Sequence, residues 1–229
     1  MLENQGIIPS LFIAFRLFSA LFLCASLSIA APPSRITRPL DPSRTAVAPG
    51  RVHRLAQPQF DRGAVDPAKK MSYMVMLVKP SAAQQSDLDS LLFNQQNPSS
   101  PSFRNWLTPE QFGSRFGINP SDQSKIVSWL TSQGLAVDHL ARSANWIAFS
   151  GSAAQVSTAL HTPIHQFDVN GKIHFANTQV PSVPEAFSDV VGGFMGLDDF
   201  VPVSNVIKSQ PDFTSGNNHY MVPDRKSVV

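Results

Sequence analysis

The sequence predicts an α+β fold of the ferredoxin-like kind: an antiparallel sheet with helices on one face and extra helices between its first and second strands. Three observations point there. The stretch 145–167 switches from a period-two apolar run, Trp146 to Ser150, into helical spacing at Val156, Ala159 and Leu160, and returns to a strand at Ile164. Asn170-Gly171 stands between the runs 164–169 and 172–176, a strong signal for a two-residue hairpin. From Met71 the predicted order is strand, helices, strand, strand, helix, strand, which is the split βαβ arrangement. An open sheet with parallel strands across 146–169 is disfavoured, because no repeating βα rhythm follows.

Charge and proline are unevenly spread over the 229 residues. Residues 31–70 hold eight Arg or Lys against three Asp, whereas the chain from Met71 onward holds nine against twelve acidic residues. The positive charge therefore belongs to a tail and the folded part is slightly acidic, which argues against a nucleic-acid-binding core. Residues 1–30 read as an export signal: Arg16, the apolar run Leu17 to Leu27, then Ser28-Ile29-Ala30-Ala31. The run is short for a membrane span of about 20 residues. Cys24 is the sole cysteine. Leu23 before it is too bulky for a lipoprotein site, and cleavage near Ala30 leaves no cysteine for a disulfide or a metal. Residues 31–70 carry seven prolines and no sustained apolar period, so they read as an extended disordered spacer.

Met71 to Val78 is apolar on both faces of a strand, and Lys79-Pro80 stops it. Ser81 to Gln96 is helical, with a stripe of Leu88, Leu91 and Leu92, and ends in the turn-rich run 97–101. Thr108 then caps a short helix, with Pro109 at its first position, Gln111 closing a capping box, and Leu107 and Phe112 as a hydrophobic staple. A third helix starts at Asn119-Pro120, buries Ile126, Val127 and Leu130 with Trp129 on the same side, and ends at Gly134. Leu135–Leu140 and Trp146–Ser150 read as antiparallel neighbours. Gly151 breaks the second, Ser152 and Gln155 form a capping box for the next helix, and Thr162-Pro163 ends it. Pro181 to Gly193 predicts one more short helix, with Pro184 at its start and Phe187, Val190 and Val191 on one face. From Pro202 the chain turns polar and irregular.

Several of these blocks together resemble a known family. Ser99 to Phe112, the helix end from Trp129-Leu130 to Gly134, Trp146 to Gly151, and Val180 to Leu197 are similar to the activation pro-domain of the sedolisins, the kumamolisin-type serine-carboxyl peptidases. The resemblance covers roughly 70–200 and implies the same ferredoxin-like sandwich. It implies an exported N-terminal segment that assists the folding of a protease and blocks it until removed in acid. The family's catalytic serine, glutamate and aspartate, and its calcium site, are expected in a longer downstream domain, so no catalytic, cofactor-binding or metal residue is assigned in this chain. The implied division is a signal at 1–30, a spacer at 31–70, the pro-domain at 71–200 and a connector at 201–229. The implied partner is the cognate sedolisin catalytic domain, with no nucleic acid, no membrane after signal cleavage, and a secreted location. Asn218 to Asp224 resembles the start of the catalytic domain and Arg225 to Val229 departs from it, which reads as a truncated or frameshifted product or a fragment. The competing reading is a stand-alone secreted inhibitor or protein-binding module.

Other chemistry finds little support. There is no G-x-S-x-G elbow, and Ser150-Gly151-Ser152 is better explained as a strand end and helix cap. His161 and His165 are separated by Pro163, which keeps them off one helix and so off one metal. Gly192-Gly193-Phe194-Met195-Gly196 lacks the context of a phosphate loop and is expected to end a helix, and Asp198-Asp199 is expected to be solvated. Trp146 could serve an RNA-binding sheet, but the accompanying aromatic and basic signature is absent. Phe200, just before the connector, and Phe213 within it are candidate occupants of protease subsites. His165 and His174 should be diagonal neighbours on the Asn170-Gly171 hairpin, and charging both as pH falls through about 6.5 would add repulsion and loosen a complex.

Overall fold

A nine-residue strand, β3 (Lys70–Val78), sits inside the main sheet, and its alternation decides which way the sheet faces. The computed structural model describes residues 31–201, 213–216 and 218–220. The predicted export signal and most of the predicted connector lie outside them. Met74, Met76 and Val78 are buried, while Val75 and Leu77 between them are half-buried, so one face carries a helical layer and the other does not. Strands β4 (Ala136–Leu140) and β5 (Trp146–Ser152) lie on one side of β3, and β9 (Val191–Met195) lies on the other, in the order β4-β5-β3-β9. All neighbours are antiparallel.

The covered face is closed by α3 (Pro120–Ser132) and α4 (Ala153–Leu160), whose Ile126, Leu130, Val156 and Leu160 join Met74, Met76, Ile147 and Phe149 in one core. Trp129 meets Phe187 edge to face at 5.4 Å. The end signals read from the sequence are the ones used. Thr108–Gln111 and Ser152–Gln155 form reciprocal capping boxes, and Pro120 follows the Asn119 cap. A further box at Ser81–Gln84 opens α1 (Ala82–Gln96). Helix α4 closes at His161, which adopts the left-handed conformation (φ 49°) just before Thr162-Pro163. Helices α1 and α2 (Pro109–Phe116) make a side lobe joined by the Asp87–Arg115 ion pair. The guanidinium holds the Asp87 carboxyl below its usual range, against a smaller opposing effect of burial. The leucine stripe of α1 is only partly covered, with Leu92 exposed.

Three expectations need correction. The helix predicted over 181–193 is instead a short strand β8 (Ser182–Pro184), one turn of 3₁₀ helix (Glu185–Phe187) and β9. Phe187, Val190 and Val191 do face the core, but they reach it from the 3₁₀ turn, the turn after it and the start of β9 in that order, and the glycines that follow disfavour a helix. The hairpin of β6 (Ile164–Val169) and β7 (Lys172–Asn177) forms in the predicted register around Asn170-Gly171, both at positive φ. It belongs, however, to a second sheet, in which β2 (Asp61–Ala64) pairs with β6 and β6 with β7, so that β9 supplies the last strand of the main sheet.

The proline-rich run 31–70 is no spacer. Strand β1 (Thr45–Val47) pairs with β8, and β2 (Asp61–Ala64) pairs with β6. Ile36, Ala48 and Val65 are buried in the main core. The arm is tied down at the buried Asp122, whose carboxylate accepts from Ser34 Oγ (2.6 Å), Arg35 N (2.6 Å) and Ile36 N (3.2 Å). These ties, one from a hydroxyl and two from backbone N–H groups, span more than eighty positions, which no local period reports. The described molecule is thus an α+β body of antiparallel sheets and four helices. None of the described helices is long and apolar enough to cross a membrane.

Candidate protein-docking face

The uncovered face of the main sheet is the largest functional candidate. Residues paired across antiparallel strands point the same way. The pairs Val75–Ala148, Val75–Met195 and Leu77–Trp146 therefore place these side chains together, opposite the helices. Trp146 is half-buried and packs at 5.3 Å on the ring of His139 from β4. Met195 is 58% exposed and Tyr73 59%. Around the fully buried Ala148, such a row of half-buried to exposed apolar side chains with aromatic members has the composition of a protein interface core.

Two β-bulges shape the row. Strand β3 slips register against β5 between Met71 and Met74, and β4 slips against β5 between Val137 and His139. Both irregularities converge on Ser150. Its hydroxyl accepts a 2.9 Å hydrogen bond from Tyr73 N and donates to the Asp138 carboxylate. Beside them lies a shallow groove of about 730 Å³ bordered by Lys70, Tyr73, Ala136, Asp138 and Ser152. Ser150 is therefore a buried bridge between two strands with no imidazole partner, and Ser152 caps α4.

The other sequence candidates fall elsewhere. His161 is exposed at the end of α4, while His165 Nδ1 lies 2.8 Å from Asp61 Oδ2, so the two are not brought together. Burial works against ionisation of Asp61, but the Gly63 N–H and the His165 ring outweigh it and hold the carboxyl below its usual range. His174 Nδ1 lies 3.2 Å from Asp199 Oδ1. Phe167 stands opposite His174 as expected, yet each imidazole faces its own carboxylate. Each pairing sets an attraction for a charged ring against the predicted repulsion.

Asp198 and Asp199 are not merely solvated: the Asp198 carboxylate accepts from Phe200 N at 3.2 Å, and that of the exposed Asp199 from Phe175 N at 2.8 Å. Phe200 is stacked between His53 (4.2 Å) and His174 (4.4 Å) and packs on the small core of Phe167 and Val169. It anchors the root of the connector and is not free to fill a protease subsite. Phe213 lies in the short strand Phe213–Ser215, paired with Asn218–Tyr220, and its side chain is outside the described residues. Gly192 to Met195 belong to β9 and not to a helix end. Among the described residues no cluster of three or more His, Cys, Asp or Glu is placed to hold a metal ion.

Sequence reasoning missed the bulged Tyr73 and the clasp at Asp122. The first left one trace, the polar pair Ser72-Tyr73 interrupting an otherwise apolar run.

Comparison with known proteins agrees with the body so described. The family model "Pro-kumamolisin, activation domain" matches residues 60–200. Sedolisin from Pseudomonas sp. (strain 101) is 27% identical over 180 residues, 78% of this chain and 30% of that protein. Xanthomonalisin from Xanthomonas sp. (strain T-22) is 28% identical over 160 residues, 69% of this chain and 19% of that protein. Aorsin from Aspergillus oryzae is 22% identical over 108 residues, 46% of this chain and 16% of that protein. The chain thus spans less than a third of the length of these relatives. The match begins within the 3₁₀ turn that leads into β2 and ends at Phe200, the anchored root of the connector, and on that evidence the chain belongs to the pro-kumamolisin activation domain family.

Proposed function

We propose that this chain is the N-terminal activation pro-domain of a secreted sedolisin-type endopeptidase, which assists the folding of the catalytic part, holds it inactive and separates from it in acid. The observation that carries the reading is the family match over 60–200, on a body that leaves an apolar sheet face uncovered. Docking that face on a catalytic domain forms an interface of standard size, on the order of 1,600 Å². The connector beyond Phe200 then runs through the active cleft. A pro-domain that binds the folded protease surface and not the unfolded chain stabilises it by mass action, which is the physical content of a folding assistant. The bond-breaking residues and the calcium site are assigned to the catalytic part.

The finer fold assignment is ferredoxin-like. It is supported by reading β3, β4, β5 and β9 as the four strands in sequence, with α3 and α4 as the crossover helices. The β6–β7 hairpin and the N-terminal arm are then additions to that frame. Export is supported by the composition of residues 1–30.

The test is refolding. A denatured sedolisin-type catalytic domain, diluted into buffer with and without this chain, should recover peptidase activity only after the chain is added and then removed in acid. Equal recovery without the chain would refute the folding role.

A further inference from the structure

We infer that Tyr73 is the anchor residue of the docking face, aimed outward by a strained bulge to meet the catalytic part of a sedolisin-type peptidase; this rests on the function proposed above. Tyr73 has φ 57° in the strand at the middle of the main sheet. A left-handed backbone is costly for any residue with a Cβ, and a bulky side chain there is an outlier that its surroundings have to hold in place. Glycine would take the position without strain.

The surroundings do hold it, from both neighbouring strands. On the β5 side the Tyr73 N–H donates to Ser150 Oγ at 2.9 Å, and Ser150 is itself fixed by Asp138. On the other side Gly196, just after β9 and at φ 79°, lies against this backbone: a Cβ there would stand a tight 3.3 Å from Met74 Cα and in ordinary contact, 3.5 Å, with Tyr73 O. The side chain returns little to the isolated fold, being 59% exposed. Strain maintained by hydrogen bonds that run through the buried Ser150 to the exposed Asp138, for a side chain that stands in solvent, locates the benefit outside this chain. Bulges of this kind re-aim side chains, and tyrosine is among the residues that carry most binding energy at interface centres.

The chemistry describes the occupant. The exposed ring at the edge of the groove accepts an apolar side chain of a folded protein, and the phenol hydroxyl gives or accepts a hydrogen bond there. Asp138, exposed across the groove, favours a basic or N–H neighbour on the same surface. The relatives supply that surface, since this chain covers only 30% and 19% of the two more similar ones.

The experiment uses the full 229-residue chain and, as probe, the mature catalytic part of the Pseudomonas relative, with binding followed by calorimetry near neutral pH. Tyr73→Gly should unfold at the same temperature as the unsubstituted chain or higher, yet bind about tenfold more weakly or worse. Tyr73→Phe, which keeps the ring, should stay within about threefold. Unchanged binding by Tyr73→Gly overturns the inference and leaves the proposed function standing. A lowered unfolding temperature also overturns it, because Tyr73 would then be serving the fold itself. Self-association of the unsubstituted chain that Tyr73→Gly abolishes would assign the face to a second copy, against the inference. Absence of binding by the unsubstituted chain refutes the proposed function and this inference together.

Discussion

Single residues do two different kinds of work in this domain. Ser150 joins two bulged strands through one hydroxyl, and Ser150→Ala leaves the Tyr73 N–H without its partner. Denaturant unfolding should show a loss of about 1–3 kcal/mol. Asp122 ties the N-terminal arm to α3, fully buried yet held below the usual carboxylate range. Burial opposes ionisation, but the Ser34 hydroxyl, the Arg35 and Ile36 N–H groups and Lys125 together outweigh it. Because the folded pKa lies below the unfolded one, its stabilisation is fully present above about pH 4. It is lost as pH falls through the folded value. Asp122→Asn should therefore cost about 1.5–3 kcal/mol at neutral pH. It should also flatten the acid limb of a stability-against-pH curve, so that wild type and variant converge at low pH. Neither residue announces itself in the sequence. Asp122 reads as an ordinary acid in the first turn of a helix, and nothing near Ser150 foretells that the strands on both sides of it will slip.

Elements were legible where their signals are local. Thr108–Gln111, Ser152–Gln155, Asn119-Pro120 and Asn170-Gly171 each settle a boundary within four residues of chain, and each forms as the sequence predicts. Strand β9 was not legible. Phe187, Val190 and Val191 suit one face of a helix, and the choice of strand is made by pairing with β3 more than a hundred positions earlier. Gly193 tests that account. It has φ 137°, and an added Cβ would lie 2.9 Å from Pro49 O, so Gly193→Ala strains its own backbone and pushes on the N-terminal arm. Thermal or urea unfolding should register a loss of about 1–3 kcal/mol.

At the scale of the molecule, the arm 31–70 was the hardest part to read, because proline and polar residues hide a segment whose anchoring is made by distant partners. Ile36 is its clearest buried contribution, yet a lone isoleucine among prolines carries no period. With the arm in place the two faces of the main sheet differ in kind: helices and arm build the core on one, while the other keeps apolar side chains in solvent. That asymmetry stands beside the family match over 60–200 as support for the proposed docking role. The measurement that tests this most directly is a titration of the chain into a sedolisin-type catalytic domain while hydrolysis of a peptide substrate is followed. The account predicts a saturable loss of hydrolysis that is relieved on acidification. Undiminished hydrolysis at every concentration of the chain would contradict it.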